Sequence, residues 1–222
     1  KNNVRCYPID DPSDKRWRYE KRYYFMELIC SLTSPYARRV RVLAYELGIG
    51  DRLKIQVVRP RESSDFLWTI NPIGKVPTLQ LDDGSCIYDS LTICDYLIAT
   101  YSPEWGKKQQ NNFWEYRTRL SMLNEMSDAG TQARRLLIQE PPQQNSADFQ
   151  LSKIHRGLAH IENNWISLES ELSLVSIGLG CTFDWLLNRF PEINWVNSCP
   201  GITNWFNEFK LRQSMEKTQI PV

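Results

Sequence analysis

The chain has 222 residues, 41% of them hydrophobic and 24% charged, with a formal net charge of +1. That is ordinary for a soluble globular protein and leaves room for one large domain or two modest ones. The near-neutral balance gives no global ground for binding nucleic acid, a membrane or an acidic substrate, and no window approaches the ~18 consecutive apolar residues of a membrane span.

Residues 1–22 carry seven basic and four acidic side chains, with Pro8 and Pro12 and no usable periodicity. They read as a poorly ordered extension, polar and charged where a secretory leader is apolar. Within it Lys15-Arg16-Trp17-Arg18-Tyr19 interleaves cations with aromatics, as a single-strand nucleic-acid contact does, but the patch is too short to be preferred over a tail. The apolar, β-favouring run at 24–30 predicts a buried strand. A polar turn, Ser31-Leu32-Thr33-Ser34, leads into Pro35. Beyond it Val40, Leu43, Ala44 and Leu47 recur at helical spacing, with Arg38, Arg39, Arg41 and Glu46 mostly on the other face. Gly48 supplies the stop. Ser34 before Pro35 is a helix-start signal, because a serine N-cap accepts from a first-turn N–H and proline gives up a donor that had no partner. A hydroxyl is thus left at a helix N-terminus, where unpaired N–H groups and the macrodipole favour an anion. Plain capping explains the same residues, and both readings stand.

A second strand is predicted at 53–58, where apolar and polar residues alternate, and a short helix around Phe66-Leu67-Trp68. Asn71-Pro72-Ile73-Gly74-Lys75-Val76-Pro77 is a loop punctuated by two prolines and a glycine. Residues 78–81 and 85–88 flank Asp82-Asp83-Gly84 as a hairpin. Asp89-Ser90 then opens a helix with Leu91, Cys94, Leu97 and Ile98 on one face. The order β-α-β-α-β-β-α predicts a mixed sheet with helices on it. Near Ser102-Pro103-Glu104 a linker is expected, and after it helices alone: 113–138, 149–168 beyond a loop at 141–146, 174–190, and 202–211. The segment 174–190 is apolar along its length and should be the central helix of a bundle. The expected domains are 23–102 and 103–222.

Six cysteines are scattered, four of them inside apolar segments, with no C-x-x-C pair. They read as free thiols of a reducing compartment. His155 and His160 lie five apart, not the four that would align them for a metal.

A small mixed α/β unit followed by an all-helical one is the plan of the cytosolic glutathione S-transferases, and the motifs match in order. Ser34-Pro35-Tyr36-Ala37-Arg38-Arg39-Val40-Arg41 resembles the serine-type activation motif of that superfamily. The segment from Asn71 to Pro77 resembles its N-P-x-G-K-V-P, and Asp89-Ser90 stands where the family has an acidic residue followed by serine. Glu171-Leu172-Ser173-Leu174 and the apolar helix running to Arg189-Phe190-Pro191-Glu192 resemble its buried C-terminal helix. The resemblance spans residues 24–215 and is closest to the small bacterial glutathione S-transferase-like proteins.

It implies a thioredoxin-like N-terminal domain with a mixed four-stranded sheet, followed by an all-α helical-bundle domain. It also implies glutathione as cosubstrate without a metal and a cytoplasmic homodimer; the composition adds that no membrane partner is expected and that nucleic acid is disfavoured. The family's activation residue occupies the place of the first cysteine in a glutaredoxin's C-P-Y-C. Here Ser34-Pro35-Tyr36-Ala37 has neither sulfur, so disulfide exchange is closed at this position. A hydroxyl can instead donate to a thiolate brought by the cosubstrate. A helix N-terminus can bring a thiol from a pKa of ~8.5 to ~7 or below, and a drop of about two favours the ionised form by roughly 2.7 kcal/mol. The implied reaction is attack of the glutathione thiolate on an electrophilic, largely apolar substrate, as in detoxification, with room for a peroxidase side activity.

Ser34 is the implied catalytic residue, with Thr33 beside it as the reserve. Pro77 resembles the fold's cis-proline, which would turn the N–H and C=O of Val76 toward the cysteinyl part of glutathione, as toward an added strand. Ser90 would bind the γ-glutamyl carboxylate and Asp89 its amino group, while each could also be a plain helix cap. Lys75 would meet a carboxylate of the peptide or stand solvated. A second-substrate pocket is expected between the domains, lined by Tyr36, Asn124, Ser127 and Asp128. One departure is Ser173-Leu174-Val175-Ser176, which ends in serine where the family's capping box has a carboxylate, and predicts a weaker cap. The alternative reading is a protein on the same scaffold that works through protein partners without catalysis.

Overall fold

The computed structural model describes residues 6–8, 17–19, 26–108, 112–165 and 171–221. Two short strands come first, β1 (Cys6–Pro8) and β2 (Trp17–Tyr19), paired antiparallel. The stretch read as lacking regular structure therefore contains a strand pair, too short for alternation to show in the sequence. Lys15 and Arg16 of the basic-aromatic run, and Tyr24 and Phe25 of the predicted strand, lie outside the described residues.

The main sheet has four strands, β3 (Met26–Cys30), β4 (Leu53–Val57), β5 (Thr78–Gln80) and β6 (Cys86–Ile87), in the order β4-β3-β5-β6. β3 runs parallel to β4 and antiparallel to β5, and β6 is antiparallel to β5. The run at β3 is apolar but for Glu27, which pairs with Lys54 of β4 at 2.9 Å, because both faces are covered. Met26, Leu28 and Cys30 point into the main core, whereas Ile29 meets Val58 and Leu67 on the other side. The crossover from β3 to β4 carries α1 (Pro35–Glu46), capped at its end by Leu47 and turned by Gly48 at φ 70. A residue with a Cβ is disfavoured in that left-handed region. Helices α2 (Ser64–Ile70) and α3 (Ser90–Tyr101) complete the thioredoxin-like domain.

All further regular structure among the described residues is helical: α4 (Pro103–Lys108), α5 (Phe113–Leu137), α6 (Gln144–Asn164), α7 (Leu174–Arg189), α8 (Trp195–Ser198), α9 (Pro200–Phe209) and α10 (Gln213–Glu216). Pro103 opens α4 where a linker is expected. α6 begins inside the expected loop and ends at Asn164, and residues 166–168 lie outside the description. α8 and α10 are single turns, too short for periodicity to announce. α7 is central as expected, with 12 of its 16 residues buried, and it packs on both α5 and α1. One hydrophobic core runs from β3 through α1 and α3 into α5, α6, α7 and α9.

One expectation for α1 is overturned. Arg38 and Arg39, assigned to its solvent face, are fully buried. α1 packs on α3 and α5 and on α7 and α10, so little of it is left to face water.

Candidate active site

β3 ends at Cys30 and the chain turns at once, the Ser34 N–H donating to the Ser31 carbonyl at 3.2 Å. Ser34 is the N-cap of α1 in extended conformation (φ −85, ψ 125), with Pro35 as first helical residue. Its Oγ accepts from the Ala37 N–H at 3.3 Å, and its own proton has no acceptor among the described residues. The neighbouring Thr33 is placed differently. Its hydroxyl lies 3.1 Å from that of Ser31, and its carbonyl accepts from Trp185 Nε1 at 3.1 Å. Trp185, on α7, therefore pins the turn from the helical domain. Nothing in the local sequence signals this, because the partners are 152 residues apart.

The register of the sheet decides what lies beside Ser34. Ile29 pairs with Thr78 and Leu79 with Ile87. Continuing those ladders brings the end of β3, the start of β5 and the exit of β6 to one end of the sheet. The residues that follow there are Ser34, Val76-Pro77 and Asp89-Ser90. The Val76–Pro77 bond is cis, as the resemblance implies. Asn71, buried at the head of this loop, gives it shape. Its Nδ2 donates to the Lys75 carbonyl at 3.0 Å and to Thr78 Oγ1 at 3.2 Å, and its Oδ1 accepts from the Ile73 N–H at 3.0 Å. Gly74 closes the loop at φ 64, where other residues are disfavoured. Asn71 is a positioning residue that the motif contains but that its sequence does not mark as such. Lys75 is exposed and makes no ion pair among the described residues.

Asp89 is the N-cap of α3, its Oδ1 accepting from the N–H groups of Leu91 (3.2 Å) and Thr92 (3.3 Å). Ser90 is the first residue of that helix and is buried. The structure thus brings Ser34, Val76, Pro77, Asp89 and Ser90 to one edge, with two helix N-termini aimed at it and Lys75 on the connecting loop.

The four residues expected to line a second-substrate pocket divide. Tyr36, in the first turn of α1, donates its hydroxyl to Asp128 on α5. Burial first, and then the Asp128 carboxylate, push the Tyr36 phenol well above its ordinary pKa. Asn124, one turn away on α5, accepts from Arg39 Nη1 at 2.6 Å. Ser127 does not belong with them. It is fully buried, and its hydroxyl donates to the Leu123 carbonyl at 3.0 Å and lies 3.1 Å from Thr182 Oγ1. Its side of α5 is the one that packs on α7, so it cannot line an open pocket. A cleft of about 360 Å³ opens between α5 and α6 over Met122 and Met126, and of the expected site residues it contains only Asp128.

The profile of the glutathione S-transferase N-terminal domain matches residues 28–105. A glutathione transferase family member from Pseudomonas fluorescens Pf-5, solved with bound glutathione, is 30% identical, covers 89% of this chain and all of its own, and superimposes with a TM-score of 0.78. The chain belongs to the glutathione S-transferase family. A glutathione S-transferase from Methylobacillus flagellatus KT, solved with glutathione bound, is 26% identical over 89% of this chain and 100% of its own, with a TM-score of 0.73. The uncharacterized GST-like protein YibF of Escherichia coli K12 is 25% identical over 202 residues, 88% of this chain and 99% of its own. Within this chain the matched N-terminal segment contains Ser34, Tyr36, Lys75, Val76, Pro77, Asp89 and Ser90, whereas Asn124 and Asp128 come from the helical domain outside it.

Proposed function

We propose that the chain is a glutathione transferase that ionises the glutathione thiol at Ser34 for attack on electrophilic, largely apolar substrates. The observation that carries this reading is the convergence of the Ser34 cap, the Val76-Pro77 loop and the start of α3 on one sheet edge. Related transferases solved with glutathione bound support it.

In this reading the cysteinyl part of glutathione pairs with the backbone of Val76, as an added strand would. Its γ-glutamyl carboxylate sits at Ser90 over the N-terminus of α3, where N–H groups and dipole favour an anion. Its amino group meets Asp89, and Lys75 meets a second carboxylate of the peptide. The sulfur rests beside Ser34 Oγ. That oxygen accepts from Ala37 and keeps its proton for the thiolate, so the charge is held by one hydroxyl and by the start of α1. The thiol proton leaves to solvent, the thiolate forms a bond to the electrophilic carbon, and the leaving group departs with its electron pair. Tyr36 does not compete for this role, since its proton is engaged with Asp128. It forms a wall of the second-substrate site together with Asp128 and Asn124.

Conjugation of glutathione to an aryl halide tests the reading. Ser34→Ala should lower turnover by about tenfold or more with the fold intact. Undiminished turnover would remove Ser34 from the mechanism and leave Thr33 as the candidate. A transferase of this plan is also proposed to be a homodimer. Trp68 on α2 and Ile73 in the loop that follows it are 59% and 67% exposed, large apolar side chains that a second copy would cover. Light scattering should return about twice the 26.1 kDa of the chain.

A further inference from the structure

α1 carries two neighbouring arginines that are equally enclosed and differently neutralised. Arg38 meets the carboxylate of Asp184 on α7, and its Nη2 donates to the Met215 carbonyl at 3.3 Å. Arg39 is 0% exposed and finds only an uncharged partner, Asn124 Oδ1, at 2.6 Å from Nη1. Its Nε and Nη2 are buried without a partner, and no carboxylate pairs with it among the described residues. Gly178 on α7 faces the guanidinium, where a Cβ would stand in ordinary contact, 3.4 Å from Nε.

A buried guanidinium without a counter-charge is unfavourable for stability, and such a group calls for an explanation. In a weakly polarisable interior its field is also poorly quenched. Arg39 stands one turn along α1 from Tyr36, on the side that meets α5, in the first half of the helix that Ser34 opens. Burial pushes the pKa of Tyr36, of Cys94 on α3, of Tyr116 on α5 and of Cys181 on α7 upward, and the charge of Arg39 opposes that rise at each of them. The opposing charge on the α5 side is Asp128, which is exposed, so that water screens it as it cannot screen Arg39.

We infer that Arg39 is a standing positive charge, left unpaired behind the start of α1, that helps keep the thiol of bound glutathione ionised. This rests on the proposed seat of that thiol at Ser34. Arg39 touches no substrate and acts through its field.

The ultraviolet absorbance of the thiolate, followed against pH with glutathione bound, tests this. Arg39→Met should raise the pKa of the bound thiol by about one, leaving about tenfold less thiolate below it, and Arg39→Lys should restore most of the loss. Asn124→Asp is the sharper variant. It sets a carboxylate on Nη1 with no change in side-chain volume, so it should raise the melting temperature while raising the thiol pKa as Arg39→Met does. It carries the test should Arg39→Met fail to fold. A more stable Asn124→Asp protein with an unmoved thiol pKa overturns the inference and leaves the Ser34 reading standing. A wild-type protein that binds no glutathione, or binds it with the thiol protonated at neutral pH, overturns both.

Discussion

Asn71 commits both ends of its amide to the loop it opens, holding the Lys75 carbonyl, Thr78 Oγ1 and the Ile73 N–H at once. Asn71→Ala removes all three bonds, though Thr78 Oγ1 still donates to the Lys75 carbonyl at 3.1 Å, and costs about 1–3 kcal/mol by the usual penalty for unmade buried hydrogen bonds. The loop it frees carries Lys75 and Val76, the proposed backbone contact for glutathione. Urea unfolding should show the lost stability, and steady-state kinetics should show KM for glutathione rising more than kcat falls. An unchanged KM would separate the loop from the binding site. Residue scale is also where sequence reasoning errs most. Helical spacing placed Arg38 and Arg39 on a solvent face, and the family resemblance placed Ser127 in a pocket. Their burial depends on α7 and α10 covering α1, and on Thr182 standing opposite Ser127. Helical periodicity within one segment carries no information about which of its faces a distant segment will cover.

At the scale of elements, helix starts divide by whether the cap is local. α7 begins with a reciprocal box, the Ser173 hydroxyl accepting from the Ser176 N–H at 3.0 Å and the Ser176 hydroxyl accepting from the Ser173 N–H at 2.8 Å. Both partners lie within four residues, so the box was legible, and serine fills the carboxylate's place without its charge. Ser173→Ala should cost about 1–2 kcal/mol, near the upper range for a cap because the helix is central. α9 is capped from elsewhere. Glu162 on α6 accepts from the N–H groups of Gly201 (2.6 Å) and Ile202 (2.8 Å), and a Cβ at position 201 would come 2.7 Å from its Oε1. Pro200-Gly201 marks a helix start in the sequence, but nothing marks a carboxylate 39 residues away as its cap. Glu162→Ala should destabilise by about 1–3 kcal/mol, and Glu162→Gln, which keeps an acceptor without the charge, by less. Chemical denaturation of the pair measures the difference, and equal losses would mean that the charge contributes nothing at this helix start.

Across the whole molecule, the order of elements in the first domain and the helical character of the second could be read because each signal is local: an apolar run, a Ser-Pro start, a Gly stop, an Asp-Gly hairpin. What could not be read is how the end of the chain returns to the beginning. Arg212 meets Glu46, at the end of α1, through Nε (2.7 Å) and Nη2 (3.0 Å), and the Ser214 hydroxyl adds a bond of 2.5 Å. With Arg38 on the Met215 carbonyl, the C-terminal segment grips α1 near both ends, and α1 is the helix that carries Ser34. Burial raises the pKa of Glu46, but the bonds from Arg212 and Ser214 outweigh it, and the carboxyl ends below its ordinary 4.5. Arg212 is raised by the same bond and stays charged throughout the acid range. A depressed carboxyl stabilises the fold fully above its unfolded pKa, and the contribution drains as pH falls through the folded value, because the unfolded chain takes up the proton first. Glu46→Gln should therefore be less stable than the parent at about pH 7 and draw level with it toward about pH 3. Urea unfolding of both proteins across that range measures the gap. A gap of constant size would mean that the grip on α1 owes nothing to the charge of Glu46.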